Sequence, residues 1–136
     1  MTTTVPQIIS YSRIDPLKGK SIYVDEGDNL EIFDIKRIYW IAYNTPQKTS
    51  SEHAHKTLEQ IIIAINGQVE ISLEDKNGIV STYKLDNPGQ GLYIPPLHWK
   101  RIHYSQPCTL LCLASEMYNE DDYIRDYGTF RTFEIV

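Results

Sequence analysis

Gln60-Ile-Ile-Ile-Ala-Ile-Asn-Gly-Gln-Val-Glu-Ile-Ser-Leu73 is the stretch on which the fold turns. Gln60 to Asn66 is apolar and β-branched, Asn66-Gly67 is the dipeptide favoured in two-residue hairpin turns, and Gln68 to Leu73 alternates polar with apolar residues. The reading is a β-hairpin with one wet face. Downstream the same grammar continues. Asp75-Lys-Asn-Gly78 is a second turn, Ile79 to Leu85 a strand, and Asp86-Asn-Pro-Gly-Gln-Gly91 an interruption imposed by Pro and Gly. Leu92 to Ile94, Trp99 to Tyr104 and Cys108 to Ala114 follow as strands. Upstream, Lys20 to Asp25 and Leu30 to Tyr43 carry β-branched and aromatic residues without the 3.6-residue stripe of a helix. One helix is predicted, from Asn119 to Tyr127: Asn119 caps it, acids fill its first turn, Arg125 sits in its last, and Gly128 ends it.

Short strands at regular spacing, Gly and Pro turns, and one terminal helix predict an all-β fold. The pattern suits an antiparallel sandwich or barrel of the jelly-roll kind, a class that includes the cupins and their double-stranded β-helix barrel, with a short C-terminal helix. At 136 residues the expectation is a single domain over 1–136. Thirteen Lys and Arg against 18 Asp and Glu give a net charge of −5, which argues against nucleic acid as a partner. No apolar run approaches the roughly 20 residues of a membrane span, so no membrane partner is expected. Met1 to Ser10 has neither a basic leader nor a signal-type apolar core, which makes the cytoplasm the expected location. Cys108 and Cys112, four apart in an apolar run, read as buried thiols rather than a disulfide. Ten tyrosines against three Phe and two Trp suit either strands or a site that stacks on rings.

All four histidines fall between positions 53 and 103. His53 and His55, in Glu52-His-Ala-His-Lys56, share one face of a strand because side chains alternate with period two. Two chemistries fit them. With Glu59 they form the first half of a cupin metal motif, two imidazoles and a carboxylate. The second half of that motif ends on a His, where this chain has Lys100, and an ammonium is no ligand. Without metal, an imidazole is a ready general base, and Tyr39 on the Arg37-Ile-Tyr-Trp40 strand supplies a phenol that can give or return a proton.

The segment Glu52-His-Ala-His-Lys-Thr-Leu-Glu-Gln60, with Gly91-Leu-Tyr-Ile-Pro-Pro96, Trp99, Leu113-Ala-Ser115 and Asp122-Tyr-Ile-Arg-Asp-Tyr127, closely resembles the sugar 3,4-ketoisomerases. These are cupin-fold enzymes acting on nucleotide-linked, typically dTDP-linked, 4-keto-6-deoxyhexoses in O-antigen, S-layer and antibiotic sugar pathways. The resemblance implies a metal-independent homodimer without cofactor. It matches the family's base to His55, its partner to His53 and its tyrosine acid/base to Tyr39. It also implies chemistry: the base takes the C3 proton beside the C4 ketone, and the enediol is reprotonated at C4.

Around this trio we expect a substrate-binding lining. Arg37, two before Tyr39, suits the diphosphate, with Lys48, Lys100 and Arg101 as further cations. Tyr93 and Trp99 are candidates to stack on the base. Glu59, four after His55, is placed to orient an imidazole, and His98 to return a proton. Three positions depart from the family pattern. Ser50 stands where relatives have Arg, Lys100 where they have His, and Asp15-Pro-Leu-Lys-Gly19 where they have Asp-x-Arg-Gly. Three other outcomes therefore stay open beside the ketoisomerase: a C3 epimerase sharing the first step, a metal-dependent cupin oxygenase, and a non-catalytic nucleotide-sugar-binding cupin.

Overall fold

A computed structural model describes residues 5–10, 12–15, 19–22, 33–44, 48–49 and 52–134; within 12–15, 19–22 and 48–49 the description is of backbone. The strands run in chain order as β1 (Gln7–Ser10), β2 (Ser12–Asp15), β3 (Gly19–Ile22), β4 (Arg37–Tyr43), β5 (Lys48–Thr49), β6 (Ala54–His55) and β7 (Gln60–Asn66). They continue as β8 (Val69–Glu74), β9 (Val80–Leu85), β10 (Gln90–Ile94), β11 (Trp99–Tyr104), β12 (Cys108–Ala114) and β13 (Tyr123–Ile124). One sheet has the order β1-β10-β7-β12-β4 and another β5-β11-β8-β9, while β2 pairs with β3 and β13 with β6. All pairings are antiparallel. The fold is the expected cupin jelly roll.

Gln60 to Leu73 is not a hairpin. β7 pairs with β10 and β12, and β8 with β9 and β11, so Asn66-Gly67 carries the chain from one sheet to the other. The reason lies in β7 itself. Ile62 and Ala64 point into the barrel core, Ile61 and Ile63 into a second cluster outside it, and a strand buried on both faces belongs at the centre of a sheet. Gly67 is required at the corner. Its φ is 78°, and a Cβ there would meet Cys108 Cβ and the Pro107 carbonyl at 2.7 Å. The Asp75–Gly78 turn does join a true hairpin, β8 to β9, with Asp75 Oδ1 accepting from the Asn77 and Ile79 amides.

The inner core is built by alternate residues of both sheets: Leu92 and Ile94, Leu110 and Cys112, Ile71 and Leu73, Ile102 and Tyr104. Cys108 and Cys112 are both free and buried there. The predicted Asn119–Tyr127 helix breaks up. Asn119 caps a three-residue 3-10 turn, Glu120–Asp122, after which Tyr123 and Ile124 leave to pair with His55 and Ala54. Helix α1 (Tyr127–Thr132) starts afresh behind the cap Asp126, so Gly128 lies inside it. Tertiary pairing outweighs local helix preference because Ile124 is buried in a third cluster with Ala54, Trp99 and Phe130.

Candidate active site

Both histidines sit where a short strand crosses the end of the four-stranded sheet. His53 makes an isolated bridge to Lys100, the Lys100 amide donating to the His53 carbonyl at 2.9 Å, and His55 pairs with Tyr123. The two imidazoles stand edge to face, 5.0 Å between centroids, with the Tyr123 ring 5.0 Å from one and 4.3 Å from the other. The Leu97 amide holds the His55 carbonyl at 2.8 Å from a turn in which Leu97 takes a φ of 60°, an unusual conformation for a residue with a Cβ.

His55 Nδ1 lies 3.1 Å from Asp122 Oδ2. The same carboxylate accepts from the Thr57 amide at 2.8 Å, the Thr57 hydroxyl at 2.7 Å and the Leu58 amide at 3.3 Å. A carboxylate offers acceptors, so Nδ1 carries the hydrogen and Nε2 keeps its lone pair. Burial first, then the Lys100 ammonium, lower the His55 pKa to about 4, with Asp122 pulling the other way. At neutral pH His55 is an uncharged base.

Tyr39 and Arg37 reach the same chamber from β4. The Arg37 guanidinium stacks over the Tyr39 ring at 4.8 Å and the Tyr118 ring at 5.8 Å, and its buried Nε has no hydrogen-bond partner among the described residues. Burial holds the Tyr39 phenol well above its usual range, so it is a proton donor at working pH. Lys100 is 5% exposed and faces inward, and burial lowers its pKa to about 8. A cluster of base, phenol and two cations suits a reaction that moves a proton beside a carbonyl and builds negative charge on its oxygen.

Other predicted residues lie elsewhere. Glu59 does not orient an imidazole: it accepts the Tyr93 hydroxyl at 2.6 Å, and Tyr93 is fully buried on the outer side of the five-stranded sheet against Phe33. Tyr93 is therefore packing, and Glu59 is absent from the metal triad drawn from the sequence. Trp99 points outward under α1, 5.6 Å from the Phe130 ring, with its indole donating to Glu52 at 2.9 Å. Arg101 is on the same outer face, paired with Glu52 at 2.8 Å. His98 Nδ1 bonds the Pro96 carbonyl, and its ring lines a cavity of about 130 Å³ with Leu73, Ser81 and Tyr83. The Lys48 backbone pairs with Tyr104, at the far end of β11 from Lys100; its side chain, Ser50 and Lys18 are outside the described residues.

Asp122, Tyr123 and Cys112 join the site without having been picked out. Asp122 and Tyr123 were hidden inside a stretch that reads as a helix start. The signal for Asp122 was the run Asp122-Tyr-Ile-Arg-Asp-Tyr127 itself, which carries a carboxylate but gives no hint that it lies beside a histidine 67 residues earlier.

A family model described as FdtA, WxcM-like, C-terminal matches residues 4–134. The TDP-4-oxo-6-deoxy-alpha-D-glucose-3,4-oxoisomerase of Aneurinibacillus thermoaerophilus is 36% identical over 128 residues, 93% of this chain and 91% of that protein. The crystal structure of QdtA, a sugar 3,4-ketoisomerase from Thermoanaerobacterium thermosaccharolyticum in complex with TDP, is 35% identical and superposes with a TM-score of 0.83. That match covers 93% of this chain and 91% of the other. WlaRB, a TDP-quinovose 3,4-ketoisomerase from Campylobacter jejuni, is 33% identical with a TM-score of 0.83, covering 93% and 96%. Along almost its whole length this chain belongs to the FdtA, WxcM-like C-terminal family, which is the family of the sugar 3,4-ketoisomerases.

Proposed function

We propose that this protein is an isomerase, a 3,4-ketoisomerase of a TDP-linked 4-keto-6-deoxyhexose, with His55 as its base. The observation that carries the reading is the hydrogen bond from His55 Nδ1 to Asp122, which leaves a neutral Nε2 lone pair in a chamber lined by Tyr39, Arg37 and Lys100. Nε2 takes the C3 proton, the electron pair moves into a C3–C4 double bond, and the C4 oxygen takes up charge. Tyr39 gives its proton to that oxygen, and the Lys100 ammonium faces the developing charge. Reprotonation at C4, with return of a hydroxyl proton from O3 to Tyr39, leaves the ketone at C3; no atom or electron is gained or lost. His53 walls the base on its edge, and the Arg37 guanidinium, its Nε unpaired among the described residues, receives the diphosphate.

A homodimer and a cytoplasmic place in deoxysugar assembly, of the O-antigen or lipopolysaccharide type, belong to the same proposal, as does a single domain over 1–136. Support for the dimer comes from the outer side of the five-stranded sheet, where Trp40 is 70% exposed and Ile38 58% exposed on one strand. Among the described residues no helix is long and apolar enough to cross a membrane.

Incubation with TDP-4-keto-6-deoxyglucose in D₂O tests the reaction. Deuterium at C3 of recovered substrate, with a product whose carbonyl has moved to C3, is the expected result. Exchange with inversion at C3 and the ketone still at C4 makes it an epimerase, and no exchange at all removes both.

A further inference from the structure

Asp122 is held from behind by the loop 56–59. Its backbone carbonyl accepts from the Lys56 amide at 2.9 Å. Its Oδ1 accepts from the Thr57 amide at 2.8 Å and the Thr57 hydroxyl at 2.7 Å, while Oδ2 accepts from the Leu58 amide at 3.3 Å and faces His55 Nδ1 at 3.1 Å. The same Thr57 hydroxyl lies 2.8 Å from Glu116 Oε2. Glu116 is kept there by its neighbour: the Glu59 amide donates to Ser115 Oγ at 2.8 Å, and the Ser115 amide to the Glu59 carbonyl at 3.0 Å. Two carboxylates thus flank one hydroxyl. Thr57, Glu116 and Asp122 line a cavity of about 570 Å³ whose lining, among the described residues, includes none of Tyr39, His53, His55 and Lys100. Thr57 stands behind Asp122, away from those chamber residues, and reaches the base through that carboxylate.

We propose that Thr57 is a positioning residue for the reaction: its hydroxyl sets the aim of the Asp122 carboxylate at His55 Nδ1, and Glu116 governs how much of that hydroxyl's hydrogen Asp122 receives. The inference rests on the reading of His55 as the base. A hydroxyl has one hydrogen to give. Given to Asp122, it completes the set of donors that fixes both carboxylate oxygens. Given to Glu116, it leaves the Thr57 oxygen facing Asp122 Oδ1 lone pair to lone pair at 2.7 Å, which loosens the carboxylate. The members of such a network are coupled, so the place of that hydrogen is felt at the imidazole.

Thr57→Val keeps the branched shape and the amide but loses the hydroxyl, Thr57→Ser keeps the hydroxyl, and Glu116→Gln brings an N–H that can donate to the Thr57 oxygen and turn its hydrogen to Asp122. Assayed on TDP-4-keto-6-deoxyglucose, Thr57→Val is expected to lose about fivefold in kcat with KM within about twofold, the value of one ordinary hydrogen bond. Thr57→Ser should stay within about twofold of wild type, and Glu116→Gln should gain about twofold in kcat. Nitrogen NMR shifts of the His55 ring should place the hydrogen on Nδ1 in wild type and Thr57→Ser and show a growing Nε2–H share in Thr57→Val, a readout that a merely structural role would not move. In an Asp122→Asn background, where C3 exchange in D₂O over long incubation reads residual turnover, adding Thr57→Val should change the rate by less than about twofold, since its effect passes through the carboxylate. Melting temperatures of all these proteins separate the losses from misfolding. The positioning role is overturned if Thr57→Val keeps wild-type kcat, if Thr57→Ser falls as far as Thr57→Val, if Glu116→Gln falls below wild type, or if the double variant loses as much again as Thr57→Val does alone. A wild type that exchanges no C3 hydrogen overturns the reaction itself, a result read before any variant is made.

Discussion

The His55 Nδ1 to Asp122 Oδ2 contact joins residues 67 apart in the chain and brings a base from the barrel together with a carboxylate from the segment that follows it. A carboxylate here fixes the tautomer and the ring angle of the base. Asp122→Asn is expected to lower kcat by about 10²-fold or more, within the range of general-base placement, with a smaller change in KM. Steady-state kinetics, with C3 exchange in D₂O as the direct readout of proton abstraction, check it. A variant with wild-type exchange would show that His55 needs no partner.

The pH profile follows from the same pair. Burial and the Lys100 ammonium lower the His55 pKa to about 4, so kcat/KM should hold through mildly acidic pH and fall only near 4. Lys100→Met removes one of the two leading causes. Its acidic limb is expected to move up toward the ordinary imidazole value of 6.5, as measured by kcat/KM between pH 3.5 and 8.

Lys100 also loads the fold. Its pKa is lowered by burial from 10.5 to about 8 in the native protein, so between these values the unfolded chain holds more protons and stability rises with pH. Below pH 8 the cost of the buried ammonium is felt in full. Lys100→Met should therefore melt several degrees above wild type at pH 7, and the gap should narrow as pH climbs from 8 to 10.5. Melting curves of the two proteins across that window decide it.

Phe130 is fully buried between Trp99 and the Arg131 guanidinium, and beside it Glu74 takes the Tyr127 hydroxyl at 2.7 Å and Arg131 at 3.1 Å. These contacts clamp α1 on the barrel. Phe130→Ala is expected to cost about 3–5 kcal/mol by denaturant unfolding. Activity should drop at temperatures where the barrel is still folded, because β13 and Asp122 hang on the same segment. Circular dichroism and turnover followed along one temperature ramp should part company.

Strand periodicity made the barrel legible, since period-two alternation survives in β8, β11 and β12, and His53 and His55 gave away their shared face by spacing alone. The Asn66-Gly67 corner misled because a hairpin turn and a sheet-to-sheet corner ask for the same backbone; only the two-sided burial of Ile61 to Ala64 separates them. Glu59 and Tyr93 satisfy each other on the outer side of the sheet, an outcome that single-strand spacing does not encode. Lys100 and Arg101 were both credible cations, and one residue of register placed the first inside the barrel and the second in solvent. Asp122 was the hardest to see. Its partner is fixed by β13 pairing with β6, and Asn119 and the acids after it are equally good helix starters.

The position of Asp122 also separates the frame of the barrel from the group that sets its base. A chain made from its N-terminus has its histidines, and later every strand of both main sheets through Ala114, before the carboxylate that sets the base exists. Both main sheets are complete in sequence before the segment that supplies the partner of the base, so the hydrogen-bonded frame of the barrel is built without it.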